Sequence, residues 1–314
     1  VFWQPGQLGW EGERRERMAE RRAAQLAAAA ELASEQPLLL SSGPDSPAME
    51  RWIQRQLGQE GERLHLLRQR LWAGVSWQRQ DRVLLLGCHS LLWALDPLRQ
   101  VPEGGVTLIC PSPEDRQRLA AQINLLEPER QPQLLDGLDA LPSDQVFDWI
   151  GGRLGTADLL ETNWIELAQT LTGHADSNAS LRLLISCAER GPAGALSASQ
   201  AAKTSLAQLV EQEQQWLQQL QIKTQPLKEL GWSLNTDQWD EVLTLPGGKS
   251  LAERWLADDS NYRRMLGSIQ PESLQLLRTA LEGLGSGGLR LPMRHQLLKG
   301  RLNKTKKSPR RTGG

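Results

Sequence analysis

Apolar residues in the middle of this chain come in short runs with polar ends. Arg82-Val83-Leu84-Leu85-Leu86-Gly87 is a four-residue apolar run closed by a glycine, the pattern of a strand buried on both faces of a parallel sheet. Comparable runs predict strands at 105–110, about 133–136, 146–150 and 181–187, with helices at 90–99, 113–125 and 161–173 between them. Strand and helix alternate, so the expected fold class is α/β: a Rossmann-like, doubly wound, mostly parallel sheet.

The flanks follow other patterns. Residues 11–35 are Ala-rich with Glu and Arg at helical spacing, which predicts a helix whose Ala stripe packs on a partner helix; a Pro/Ser/Gly linker follows at 36–47. A second helical pattern runs from Met49 to Leu71 with Trp52, Leu57, Leu64, Leu67 and Leu71 apolar. After Gly191 come a Gln-rich helix near 196–221, short strands around 230–234 and 241–245 forming a polar hairpin, and helices near 249–257 and 271–283. The expected division is 1–35, linker 36–47, an α/β domain at 48–258, a helical extension at 259–289 and a basic, disordered tail at 290–314.

Composition narrows the class. With 314 residues, 39% hydrophobic and 23% charged, the chain has the make-up of a soluble globular protein, and its apolar runs fall short of the roughly 20 residues that span a bilayer. No basic region followed by a signal-like apolar core opens it, so a cytoplasmic location is expected. The first residue, Val1, is no initiator methionine, and the opening reads as the C-terminal piece of a longer protein. Cys88, Cys110 and Cys187 form no C-x-x-C pair and are expected as packed free thiols. Net charge is −1, yet everything after Glu282 holds nine Lys or Arg and no acid, so the preceding part carries −10.

Chemistry would be sought first at the turn after the first strand. In a nucleotide-binding turn, several glycines let backbone approach the ligand and helix N-terminal amides meet it; here Cys88, His89, Ser90, Leu91 and Leu92 follow Gly87. The strand series over about residues 50–250 nevertheless resembles the class I S-adenosylmethionine-dependent methyltransferase fold, and Phe147-Asp148-Trp149-Ile150 has that family's look in its fourth strand. The resemblance implies cofactor contacts at Gly87, His89, Ser112 and Asp148, should S-adenosylmethionine be bound. This sequence departs from the family in three places. The first strand has no acid, the second ends in Cys110, Pro111 and Ser112 with Glu114 and Asp115 late, and the catalytic N-P-P-Y type motif is replaced by GGRLG. Loss of cofactor and of catalysis is therefore expected, with no catalytic residue assigned and an active methyltransferase as the alternative.

A second resemblance lies at the start. Val1-Phe2-Trp3-Gln4-Pro5-Gly6, then Gly9-Trp10-Glu11-Gly12 and an Arg-rich helix, are similar to the end of the oligomerisation domain of the RarA (MgsA) family of replication-associated AAA+ ATPases. In cyanobacteria these occur fused to a further C-terminal domain. The resemblance implies a role in DNA replication, repair and recombination, homo-oligomers formed through the ATPase, and ATP and magnesium held by a preceding region.

Other constellations have plainer readings. Pro246-Gly247-Gly248-Lys249-Ser250 imitates the end of a phosphate-binding loop, but the first glycine of that motif would fall at Leu243, so a strand-to-helix turn is expected. His65, His89, His174 and His295 are too dispersed for a sequence-evident metal site, and His89 is expected to cap a helix. Residues 87–91 miss the G-x-S-x-G spacing of a hydrolase elbow. Of the 12 tryptophans, Trp72, Trp77, Trp93, Trp149 and Trp164 flank the sheet as core, while Trp232 and Trp239 in the late hairpin could stack on a base or partner, with core the leading reading. The basic residues Arg290, Arg294, Lys299, Arg301, Lys304, Lys306, Lys307, Arg310 and Arg311 point to nucleic acid through counterion release, against a solubilising end or one bound to an acidic protein face. The sequence thus predicts a non-catalytic accessory domain that binds DNA or replication and repair proteins. A structural interaction module docking through 19–33 is a further alternative.

Overall fold

A computed structural model describes residues 61–124, 126–196, 206–220, 222–258, 260–266, 269–284 and 288–303. The helix, linker and ATPase-like opening expected within 1–47, with Trp52 and Leu57, lie outside them, as do Lys304, Lys306, Lys307, Arg310 and Arg311.

Seven strands form one sheet: β1 (Val83–Leu86), β2 (Val106–Ile109), β3 (Gln133–Leu135), β4 (Phe147–Leu154), β5 (Ala175–Ala188), β6 (Trp232–Leu245) and β7 (Leu289–Leu302). Their order is β3-β2-β1-β4-β5-β7-β6, and only β7 runs antiparallel to its neighbours. That order, with a reversed strand slotted between β5 and β6, is the class I methyltransferase arrangement, so the expected fold class holds.

Burial follows from strand alternation. Val83 and Leu85 point into one apolar cluster and Leu84 and Leu86 into the other. The first cluster is covered by α1 (61–72), by a 3-10 turn (Leu91–Ala94) running into α2 (Leu95–Gln100), and by α3 (Pro113–Ile123). The second is covered by α5 (Trp164–Gly173), α7 (Ala207–Gln219) and later helices; α4 (Thr156–Glu161) and α6 (Pro192–Leu196) sit at strand ends. A short α8 (Gln225–Glu229) leads into β6. Between β6 and β7 run α9 (Lys249–Leu256), α10 (Asn261–Leu266) and α11 (Pro271–Glu282).

One buried carboxylate ties these helices together. Glu213 of α7 accepts from the Ala193 and Gly194 amides at 2.7 Å each and from the Tyr262 hydroxyl at 2.5 Å. Burial pushes its pKa up despite these donors, which each pull it down.

Three expectations need correction. The strand expected to end at 150 runs on through GGRL to Leu154, with Gly155 capping α4. A Cβ on Gly151 would sit 2.5 Å from the Trp72 ring, and one on Gly152, at φ +137°, 2.1 Å from the Leu86 carbonyl, so these glycines let β4 lie against its neighbours. The supposed hairpin at 230–245 is the single strand β6, paired with β7 along its whole length. Residues 290–302, expected in a disordered tail, form β7: Leu289, Leu291, His295 and Leu297 alternate with more exposed partners, a period-2 pattern that outweighs the basic charge.

Candidate functional site

Gly87 ends β1 at φ +62°, a conformation that suits glycine, and a Cβ there would lie 2.0 Å from the Arg153 carbonyl of β4. Gly87 thus runs on beside β4, where only a glycine fits. Beyond Gly87, Cys88 and Ser90 are buried and the first amides of the following turn are already bonded: Leu91 N donates to Gln122 Oε1 at 2.8 Å and Leu92 N to Ser90 Oγ at 3.3 Å. Ser90, rather than His89, is the cap.

His89 instead spans the cleft. Its Nδ1 lies 3.1 Å from Asp115 Oδ2, in the first turn of α3, and its Nε2 lies 3.1 Å from Asp158 Oδ1, in the first turn of α4. Both carboxylates are held from behind. Ser112 Oγ donates to Asp115 Oδ2 at 2.8 Å and Arg118 lies 3.1 Å from Oδ1, while Gly155 N donates to Asp158 Oδ2 at 2.7 Å. Burial alone would raise the Asp115 pKa; the His89 bond and charge, Ser112 and Arg118 together outweigh it and hold the carboxyl below its ordinary value.

Of the four positions expected at a cofactor, Gly87, His89 and Ser112 thus meet around one cleft, His89 and Ser112 through Asp115. Asp148 does not join them. Trp149 pairs with Val83, which puts Asp148 at the opposite end of β1, where its carboxylate accepts from Arg82 N at 2.8 Å. It braces the sheet and cannot face a ligand at Gly87. At this turn the groups that would face a cofactor are bonded within the protein: the amides of Leu91 and Leu92 to Gln122 and Ser90, and the His89 imidazole to a carboxylate at either end. The late acid, Asp115, is turned onto that imidazole.

Both nearby thiols are held in the protonated form. Burial pushes Cys110 up to about 11 and Cys187 up to about 12. Among the described residues no group of His, Cys, Asp and Glu could hold a metal ion; His89 sits between its carboxylates instead of converging with them.

A second polar row escaped the sequence reading. Arg153 of β4 donates from Nε to Ser186 Oγ of β5 at 3.4 Å, Ser186 lies 2.9 Å from His295 Nδ1 of β7, and His295 Nε2 lies 2.9 Å from Glu241 Oε2 of β6. Trp239 stacks on the His295 ring at 5.4 Å, and the Arg70 guanidinium lies 4.5 Å from the Trp239 centroid. The His295 bond lowers the Glu241 pKa more than burial raises it, and Arg63 adds to the lowering. Serine, histidine and carboxylate in this order imitate a hydrolytic relay, yet Ser186 is 2% exposed and His295 0%, which leaves no approach for a substrate. Only the β5–β7 and β6–β7 registers bring these residues together, and no spacing in the sequence announces them.

Of the basic residues expected at nucleic acid, Arg290, Arg294, Lys299 and Arg301 are in β7. Arg294 pairs with Glu189 and, at 3.0 Å, with Asp240; Lys299 pairs with Asp237 at 2.6 Å. These two charges are matched within the sheet and are not a flexible polycation. Trp232 is buried, and its indole donates to Thr172 Oγ1 at 2.9 Å, while Trp239 is held between Arg70 and His295. At 246–250, Gly248 precedes α9 at φ +115° and Gly247 lies against Leu284, a strand-to-helix turn built by packing. Among the described residues no helix is long and apolar enough to cross a membrane.

No family model matches this sequence, and no curated protein matches it. Solved structures are similar in overall course only. The YcgJ protein of Bacillus subtilis is 12% identical with a TM-score of 0.47, over 77% of this chain and 100% of its own. Precorrin-6y C5,15-methyltransferase of Geobacter metallireducens is 10% identical with a TM-score of 0.40, over 74% of this chain and 87% of its own. The plantazolicin methyltransferase BpumL is 13% identical with a TM-score of 0.37, over 90% of this chain and 99% of its own. At such scores the fold assignment stands on strand order and direction.

Proposed function

We propose that this chain is a methyltransferase-fold domain that does not transfer methyl groups and serves as an accessory module, binding DNA or a protein partner. The observation that carries the first half is His89, bonded to Asp115 and Asp158 across the cleft where the cofactor of an active enzyme of this fold would lie. Isothermal calorimetry of the purified chain with S-adenosylmethionine tests it. No heat at millimolar ligand is the expected result; micromolar binding would overturn this reading in favour of the alternative, an active methyltransferase, and call for a search for its acceptor.

The DNA half is supported by charge. Because Arg294 and Lys299 are matched in β7, it now rests on Lys304, Lys306, Lys307, Arg310 and Arg311. A place beside a RarA-type replication and recombination ATPase is supported by the resemblance at residues 1–12. In that setting ATP hydrolysis and oligomer formation belong to the ATPase.

A further inference from the structure

We propose that the Asp115–His89–Asp158 bridge is a proton-operated latch. While it holds two protons it ties the first turn of α3 to the first turn of α4 across the end of β1, and it opens when a rise in pH removes one. This deepens the closed-cleft reading above and rests on it.

The proton count follows from the geometry. Each ring nitrogen of His89 lies 3.1 Å from a carboxylate oxygen, and each of these two gaps needs a hydrogen. A neutral imidazole brings one. The second is supplied either by an imidazolium or by a protonated carboxyl, and in both cases the three groups share two protons and sum to one negative charge. Removing a proton leaves two negative charges among them and one gap in which lone pairs face each other, so that bridge is lost.

The neighbouring donors serve contacts of their own. From α3, Arg118 lies 3.1 Å from Asp115 Oδ1 and eases the charge at that end, but it makes no bond between His89 and Asp158. Ser112 already donates to Asp115, and Gly155 N already donates to Asp158. On the sheet side the Cys187 thiol feels Arg153 and Asp158, and the Cys110 thiol feels Arg116, Asp136 and Asp115. Both thiols stay protonated through the neutral range, held up to about 12 and about 11 by burial. The hydrogen that matters therefore belongs to the bridge.

Linkage gives the sign and the shape. A proton bound more tightly in the closed state than in the open one stabilises closure at low pH. That stabilisation is fully present below the ordinary imidazole value, about 6.5, and is lost as pH rises through the closed-state value. Between the two, the opening constant grows about tenfold per pH unit.

The test is amide hydrogen exchange by mass spectrometry on the whole chain between about pH 6 and about pH 9, with protection factors correcting for the intrinsic pH dependence of exchange. Peptides covering 112–118 and 155–161 should lose protection about tenfold per pH unit above about 6.5, while peptides from β6 and β7 stay level. His89→Gln, uncharged throughout, should be level everywhere, and Asp158→Asn provides a second variant if that one does not fold. A level profile in the wild-type chain overturns the latch, and so does a slope that survives in either variant. Should neither variant fold, the wild-type profile decides. No S-adenosylmethionine is present, so cofactor binding in the calorimeter would sink the closed-cleft reading alone, and a level profile would sink the latch alone.

Discussion

Single residues here do the work of closing a cleft, and Gly87 is the clearest. Its φ of +62° and the Arg153 carbonyl 2.0 Å from the place of a Cβ leave no room for alanine. Gly87→Ala should lower stability by about 1–3 kcal/mol, read as a fall in the urea midpoint at unchanged slope. Asp115 and Glu241 both have carboxyls held below their ordinary values of 3.8 and 4.5. A folded pKa below the unfolded one contributes stability that is present above the unfolded value and is lost as pH falls through the folded one. The share of stability these two carboxylates contribute should therefore hold from neutral pH down to about 5 and be lost below it, so the acid fall of the urea midpoint should be shallower in Glu241→Gln than in the wild-type chain. The sequence marked Gly87, His89 and Ser112 as neighbours because a turn after a buried strand has few places to go. It could not mark Asp158, 69 residues from His89, since only the β1–β4 pairing brings α4 to that turn.

Elements were legible where apolar runs were uninterrupted. β1 and β2 fall where short Val, Leu and Ile runs predicted them, β5 covers its predicted 181–187 but begins already at Ala175, and α3 and α5 lie where Leu119, Ile123, Ala168 and Leu171 recur at helical spacing. β4 was read short because Gly151 and Gly152 look like a loop until Trp72 and Leu86 are seen pressed against them. β7 was missed because Arg290, Arg294, Lys299 and Arg301 mask its alternation, although two of these charges are answered by acids across the sheet. A chain ending at Asn303 should unfold cooperatively with the midpoint of the full chain, whereas one ending at Gly288 should show no cooperative transition by circular dichroism. Tyr262→Phe removes a donor from the buried Glu213 carboxylate that anchors α6 and α10, and should cost about 1–3 kcal/mol in the same measurement.

At the scale of the whole molecule, charge is divided: acids on β6 match Arg294 and Lys299 of β7, and five further cations follow Asn303. If those five residues carry the contact with DNA, the chain ending at Asn303 should bind duplex DNA more weakly at low salt. The slope of log affinity against log salt should also shrink by up to about four. An unchanged slope would return DNA binding to some other face and leave the tail as a solubilising end.

The position of β7 has one more consequence. Among the described residues β6 has no strand neighbour other than β7, and β5 meets none but β4 and β7, so the wall between them stays open until residues 289–302 have been synthesised. A ribosome that has completed β6 therefore holds a nascent chain with two long, unsatisfied strand edges. Closing them draws together segments far apart in sequence, such as Ser186 and His295, 109 residues from one another. Folding of this domain is in that sense terminated rather than begun by β7, and the interval before β7 is made is when the nascent chain is most open to mispairing and to chaperones.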